Sequence, residues 1–153
     1  METGEFSDKG AIWTIPGNRT KNHRTHVVPL SQSARRILKG VTRSPECNFI
    51  FSTNQKTPVS GFSKLKRQLD SGMEDVPPWR LHDLRRTCAT GMAEIGTPPH
   101  VVELCLNHVS GARAGVAGIY NRAAQMAERQ VALEKWADHV AGLVARAKHG
   151  SSA

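Results

Sequence analysis

From Leu81 to Ala147 the apolar residues recur mostly at the spacing of an α-helix, and this pattern restricts the fold more than any other feature of the chain. A first stripe consists of Leu81, Leu84, Cys88, Met92 and Ile95 and ends at Gly96. A second stripe, within a segment from about residue 123 to 147, consists of Met126, Leu133, Trp136, Val140, Leu143 and Ala147. No β-α-β alternation is present, so a parallel sheet is not expected.

The first forty residues carry most of the β-signal of the chain, and "CNFIF" at 47–51 is predicted as another short extended piece. Residues 11–30 hold two short β-prone runs around a polar Gly-Asn turn, which predicts a β-hairpin. Ser31 can cap a helix that ends near Gly40, and Ser60 opens a further, basic helix. We therefore expect an α+β, mainly helical fold: a tail over residues 1–9, then one domain over 10–153 with a hairpin at 11–30 and a helical part at 31–147.

The charge of the chain favours a polyanionic partner. Its 153 residues include 21 Lys and Arg against 13 Asp and Glu, giving a net charge of +8. Aromatic residues make up only 5%, too few for a protein that stacks single-stranded bases, so duplex DNA is favoured. The three cysteines form no C-x-x-C pair, and neither an apolar signal core nor a bilayer-length apolar run is present. A cytoplasmic protein with reduced thiols and no membrane partner is expected.

The segment "WRLHDLRRTCAT" places a histidine and two arginines at the start of a predicted helix. At about 100° per residue, Arg85 lies at the edge of the apolar stripe and Arg86 almost opposite it. His82 precedes Arg85 by one turn, near the helix N-terminus, where an anion is favoured. These residues describe an oxyanion or phosphate site. A helix-capping histidine and a surface arginine are the alternative that spacing alone leaves open.

Three further residues could take part in phosphate chemistry. His108 follows the next predicted helix, in "LNH", and Tyr120 is the single tyrosine, reached through a glycine-rich stretch. A phenol is a poor nucleophile at neutral pH unless neighbouring bases and cations activate it. Lys21 lies in the polar hairpin loop, where it could reach a leaving oxygen.

In this order, the residues resemble the catalytic domain of tyrosine recombinases, the phage-type integrases of prophages and genomic islands. The resemblance is carried by "WTIPGNRTKNHRTHVVPLS", "HDLRRTCATGMAEIG", "VVELCLNH" and "GVAGIYNRA". It implies site-specific integration or excision of a mobile element. Tyr120 would attack a DNA phosphate to form a 3′-phosphotyrosine, Arg85 would bind the non-bridging oxygens, and Lys21 would protonate the leaving 5′-oxygen. His82 and His108 would hydrogen-bond the phosphate and assist proton transfer, with no metal or cofactor.

The chain departs from the family pattern at its start. The family's other phosphate-binding arginine belongs to an upstream helix that usually reads R-x-x-E, and nothing in residues 1–10 resembles it. Arg19, Arg24 and Arg43 do not stand in that context. The resemblance therefore covers the C-terminal part of a catalytic domain, without its first helix and strand. We expect the chain alone to be impaired in strand transfer.

Contacts outside the catalytic set are also predicted. The candidate DNA-binding cations are Arg19, Lys64, Lys66, Arg67 and Arg86. The segment after the tyrosine could dock on another copy of the chain. His23 and His26 are unlike a zinc pair, because residues three apart in a strand face opposite sides. Two other functions remain open: a non-catalytic DNA-binding integrase remnant, and a generic basic nucleic-acid-binding module.

Overall fold

A computed structural model of the chain describes residues 1–73, 76–108 and 122–150. The strands are β1 (Phe6–Ser7), β2 (Ile12–Ile15) and β3 (His26–Pro29). The helices are α1 (Gln32–Lys39), α2 (Phe62–Asp70), α3 (Leu81–Glu94), α4 (Pro99–Cys105) and α5 (Arg122–Gly150). This order confirms the predicted α+β, mainly helical fold with an N-terminal hairpin.

The strands form one antiparallel sheet in the order β1-β2-β3. In the hairpin, Trp13 pairs with Val28 and Ile15 with His26. The first nine residues, expected as a tail, instead contribute β1, whose Phe6 pairs with Trp13. The sheet therefore has a strand before the hairpin, although the family resemblance predicted that a first strand is missing; two residues are too short to show alternation.

Glu5 joins this first segment to the hairpin. Its carboxylate is buried and accepts hydrogen bonds from Trp13 Nε1 and the Glu2 backbone N–H, both at 2.9 Å. Arg19, in the turn after β2, also donates to it. Burial raises the pKa of Glu5, but these hydrogen bonds and the charge of Arg19 outweigh burial and leave the pKa below its ordinary value.

The predicted N-cap of α1 is confirmed, whereas α2 begins two residues after the predicted position. Ser31 Oγ accepts from the Ala34 N–H at 3.3 Å, and Gly40 follows the last turn. Helix α2 begins at Phe62 rather than near Ser60, because Gly61 precedes it in a left-handed conformation with φ +73°.

The core lies where α3, α4 and α5 meet. Met92 of α3 is fully buried and packs with Val101, Val102 and Leu106 from α4 and its end, and with Ala132 of α5. Gly91 lies against the Trp136 indole: a Cβ built there would be 2.4 Å from Trp136 Cζ3. Only a residue without a side chain allows α3 and α5 to approach this closely.

Parts of both apolar stripes lie outside this core. The stripe predicted on α3 is only partly buried: the helix packs through Cys88 and Met92, whereas Leu84 is 58% exposed. On α5 the stripe residue Trp136 packs against the core beside Ala132, whereas Leu143 is 46% exposed. Cys47, Cys88 and Cys105 are free thiols. None of the helices in the described ranges is both long and apolar enough to span a bilayer.

Candidate active site

Arg85 connects α3 to the end of α4. Its side chain is half-buried, and Nη2 donates to the carbonyl oxygen of Leu106. Arg86, one residue further, is exposed and forms an ion pair with Asp83 at 3.3 Å. The two arginines therefore point as the helical spacing predicted: Arg85 toward the protein and Arg86 toward solvent. The stem of Arg85 is packed while its charged head lies at the junction of two helices.

The N-terminus of α3 already holds a carboxylate. Asp83 Oδ2 accepts from the Arg80 N–H at 2.8 Å. This hydrogen bond, followed by the charges of Arg86, Arg80 and His82, lowers the pKa of Asp83 below its ordinary value. His82 is exposed in the first turn and has no hydrogen bond or ion pair to any residue that the structure describes. Of the residues predicted for the site on this helix, His82 and Arg85 form no ion pair with a described carboxylate, whereas Arg86 does.

The end of α4 is a Schellman cap, and it places His108. Asn107 takes the left-handed position with φ +54°, and its N–H donates to Leu104 O at 3.3 Å. The next N–H, that of His108, donates to Glu103 O at 3.0 Å. The two side chains meet as well, with His108 Nδ1 3.0 Å from Glu103 Oε2. A carboxylate there favours a proton on Nδ1 and leaves Nε2 for a ligand.

The hairpin loop reaches this same cap. Asn22 Nδ2 donates to Asn107 Oδ1 at 3.3 Å, across 85 residues of sequence. Lys21, the neighbour of Asn22, is exposed, and its ammonium makes no hydrogen bond or ion pair within the described ranges. The loop is thus held at the end of α4 by Asn22, and the lysine next to it remains available.

Three of the five predicted catalytic residues are therefore connected to a single turn, residues 106–108. Arg85 bonds its first residue, the Lys21 loop bonds its second, and His108 is its third. His82 lies one helical turn before Arg85. Tyr120 lies outside the described residues.

Two side chains that the sequence analysis did not select as site residues lie beside this set. His26 is half-buried; burial and the charges of Arg129 and Arg85 lower its pKa, against a hydrogen bond with the Cys105 backbone. Arg129 of α5 donates to Val27 O at 2.6 Å and to Gln125 O at 3.2 Å, tying α5 to β3. Burial raises the pKa of the Cys105 thiol to about 11. No helical or strand periodicity links Arg129 to Val27, so their hydrogen bond had no sequence signal.

The predicted DNA-binding cations differ in how freely they can meet a phosphate. Arg19 is paired with Glu5 and lies 3.4 Å from Glu2. Lys66 pairs with Asp70 at 2.6 Å and lies 4.4 Å from the centre of the Trp79 ring. The other three, Lys64, Arg67 and Arg86, are exposed, and of these Arg86 pairs with Asp83. No cluster of three or more His, Cys, Asp or Glu that could hold a metal occurs in the part of the chain that the structure describes.

The turn at residues 106–108 brings together an arginine, a histidine and the loop that carries a lysine, which is a class of arrangement suited to binding a phosphodiester. Residues 1–126 match the phage integrase family. The chain is 32% identical to the prophage integrase IntZ of Escherichia coli K12 over 138 residues, which cover 88% of this chain and 33% of the relative. It is 34% identical to the prophage integrase IntA of the same organism over 139 residues, covering 89% and 33%.

The chain therefore belongs to the phage integrase family. It spans about a third of the length of the curated relatives it matches. No solved structure matches it.

Proposed function

We propose that this chain carries the phosphate-activating and nucleophilic part of a tyrosine recombinase, which cuts and rejoins duplex DNA at specific sites. The family supports site-specific recombination in general. The observation that carries the catalytic proposal is the contact of Arg85 with Leu106, which joins the H-x-x-R helix to the turn that ends in His108.

In this mechanism the Tyr120 phenolic oxygen attacks a DNA phosphorus. The bond from phosphorus to the 5′-oxygen breaks, and a 3′-phosphotyrosine forms. Arg85 stabilises the negative charge that develops on the non-bridging oxygens. Lys21 gives its proton to the departing 5′-oxygen as general acid. A free 5′-hydroxyl of another strand then attacks the phosphotyrosine, which rejoins the DNA and releases the tyrosine.

The two histidines act on the phosphate and on the phenolic proton. His108 is suited to this because Glu103 occupies Nδ1 and leaves Nε2 for a phosphate oxygen. His82 is exposed one turn before Arg85 and can approach a bound phosphate from the start of α3. Each step exchanges one phosphoester bond for another, so bond energy is conserved and neither a metal nor a cofactor is required.

The proposed partner is duplex DNA at an attachment site within the cell. A net charge of +8 supports backbone binding through counterion release. The three exposed cations Lys64, Arg67 and Arg86 are the best placed to contact phosphates outside the cleavage site. Association between copies through the C-terminal part of α5 is proposed as well, since Val140, Leu143 and Val144 are exposed there.

A nicked suicide duplex tests the catalytic function. Such a duplex, selected from a randomised pool for binding to the chain, loses a short fragment after cleavage and traps the covalent intermediate. The assay uses the chain alone and the chain joined to the remaining part of a prophage integrase, each with a Tyr120→Phe control. We expect an adduct that survives SDS, requires Tyr120 and increases on joining. Tight DNA binding without an adduct in either form would favour the non-catalytic remnant.

A further inference from the structure

We propose that the hydrogen bond between Asn22 and Asn107 is a positioning device, which holds the Lys21 loop against the His108 turn. The inference rests on the proposed function and assigns a role to two residues outside the predicted catalytic set. Asn22 Nδ2 donates to Asn107 Oδ1 at 3.3 Å. These residues directly adjoin Lys21 and His108 in the sequence.

The residue at position 107 must end α4 in a left-handed conformation and also bond the hairpin loop, and few residue types can do both. With φ +54° it is the left-handed residue of the Schellman cap, a place taken mostly by glycine and sometimes by asparagine. Glycine would satisfy the cap but would provide no side chain. Asparagine satisfies the cap and also presents an amide to the hairpin loop, so the turn that places His108 also binds the neighbour of Lys21.

Asn22 also shapes the loop that it attaches. Its Oδ1 accepts from the Arg24 N–H at 3.1 Å, while its Nδ2 is directed to Asn107. Thr20 Oγ1 donates to Arg24 O at 2.8 Å and closes the loop around Lys21. The Lys21 ammonium has no hydrogen bond or ion pair of its own to the described residues. Its position therefore depends on the loop backbone and on the Asn22–Asn107 hydrogen bond that holds the loop.

A general acid must lie within hydrogen-bond reach of the oxygen that it protonates. A displacement of about 1 Å in a catalytic group can cost on the order of a hundredfold in rate. The amide pair therefore couples two groups that act on opposite parts of one phosphodiester: Lys21 on the leaving oxygen and His108 on the non-bridging oxygens.

The first test needs no catalysis and uses Asn107→Gly, which keeps the left-handed cap and removes the amide. Amide hydrogen exchange is measured over residues 17–25 and over α3. We expect exchange in the loop to become about 3- to 10-fold faster, as loss of one net hydrogen bond predicts, with α3 unchanged. An unchanged loop would overturn the proposal, whatever the chain does to DNA.

The second test replaces the bridging 5′-oxygen of the suicide duplex by sulfur. A thiolate leaves without a proton, because a thiol has a pKa near 8.5, so the cleavage of this substrate does not need a general acid. We expect Asn107→Gly to slow adduct formation on the oxygen substrate by about 10- to 100-fold and to match the unsubstituted chain on the sulfur substrate. A merely structural defect would slow both substrates equally and would contradict a positioning role.

Lys21→Ala separates this proposal from the proposed function. If the amide pair acts through Lys21, Asn107→Gly adds little to the defect of Lys21→Ala, so the two changes are not additive. Additive defects would overturn the positioning role while leaving recombination intact. If neither the unsubstituted chain nor its joined form gives a Tyr120-dependent adduct, the proposed function is overturned instead. The exchange measurement would still show whether the Asn22–Asn107 hydrogen bond holds the loop.

Discussion

The guanidinium of Arg85 donates to the carbonyl oxygen of Leu106, 21 residues further along the chain. Leu106 is the cap of α4, where carbonyls lack partners within the helix. A single arginine thus completes the end of one helix and directs its charge toward the turn that contains His108. We therefore expect the stability of this helix end and, under the proposed function, phosphate binding to depend on the same side chain.

Replacing Arg85 should affect both properties. We expect Arg85→Ala to reduce adduct formation by about 10²–10³-fold, as for loss of one donor to a developing oxyanion. It should also lower the free energy of unfolding by about 1–3 kcal/mol, because the Leu106 carbonyl loses its donor. Suicide-duplex trapping and urea unfolding measure the two effects. Arg85→Lys is the matched control: it keeps the charge, and full activity in that variant would argue against a forked contact with the phosphate.

Acid should destabilise the sheet through Glu5. The folded pKa of Glu5 is lower than its ordinary value of 4.5, so the stabilising contribution is complete above pH 4.5 and is lost as the pH falls through the folded pKa. Glu5→Gln removes the titrating group. We expect this variant to show a flatter dependence of unfolding free energy on pH below about 4.5 than the unsubstituted chain. Identical pH profiles in urea unfolding would refute a role for Glu5.

His26 should give a separate pH dependence at higher pH. Burial, Arg129 and Arg85 lower its folded pKa below the ordinary 6.5, against the hydrogen bond to the Cys105 backbone. The folded state therefore favours neutral His26. The stabilising contribution of neutral His26 is complete above pH 6.5 and is lost as the pH falls through the folded pKa. We expect His26→Gln to flatten the unfolding free energy just below pH 6.5 while leaving the Glu5 effect in place. A histidine titration by NMR that gives His26 a pKa above 6.5 would contradict this account.

The contact between Gly91 and Trp136 should tolerate no side chain. A Cβ at Gly91 would be 2.4 Å from Trp136 Cζ3, so Gly91→Ala forces the indole or α5 to move. We expect a loss of about 1–3 kcal/mol in the free energy of unfolding. Gly142→Ala is the matched control, because its nearest neighbour is the flexible Arg146 Nη1 at 3.8 Å. It should raise stability by up to about 1 kcal/mol through helix propensity. Equal effects would show that packing against Trp136 is unimportant.

Local signals in the sequence predicted most of the helices and the hairpin, but not β1. Ser31 and Gly40 bound α1, and the helical spacing around Met92 predicted α3. The same geometry predicted that Arg85 is half-buried and Arg86 exposed. Burial along each stripe was not predictable, because it depends on where α3, α4 and α5 cross: Leu84 and Leu143 have the right spacing and remain exposed.

The tertiary contacts of the site had weaker signals. The pattern H-x-x-R does not indicate that Arg85 bonds Leu106, and no periodicity connects Asn22 with Asn107. The asparagine before His108 was nevertheless readable as a left-handed helix terminus, since asparagine tolerates that conformation. Long-range hydrogen bonds of this kind come from the fold as a whole and not from the segments that supply their donors.

The central claim is that Tyr120 is the nucleophile. The most direct measurement is to digest the trapped protein–DNA adduct with nuclease and protease and to locate the remaining nucleotide by mass spectrometry. The account predicts a nucleotide joined through its 3′-phosphate to the peptide that contains Tyr120, together with a released strand bearing a free 5′-hydroxyl. A nucleotide on another residue, or one joined through its 5′-phosphate, would contradict it.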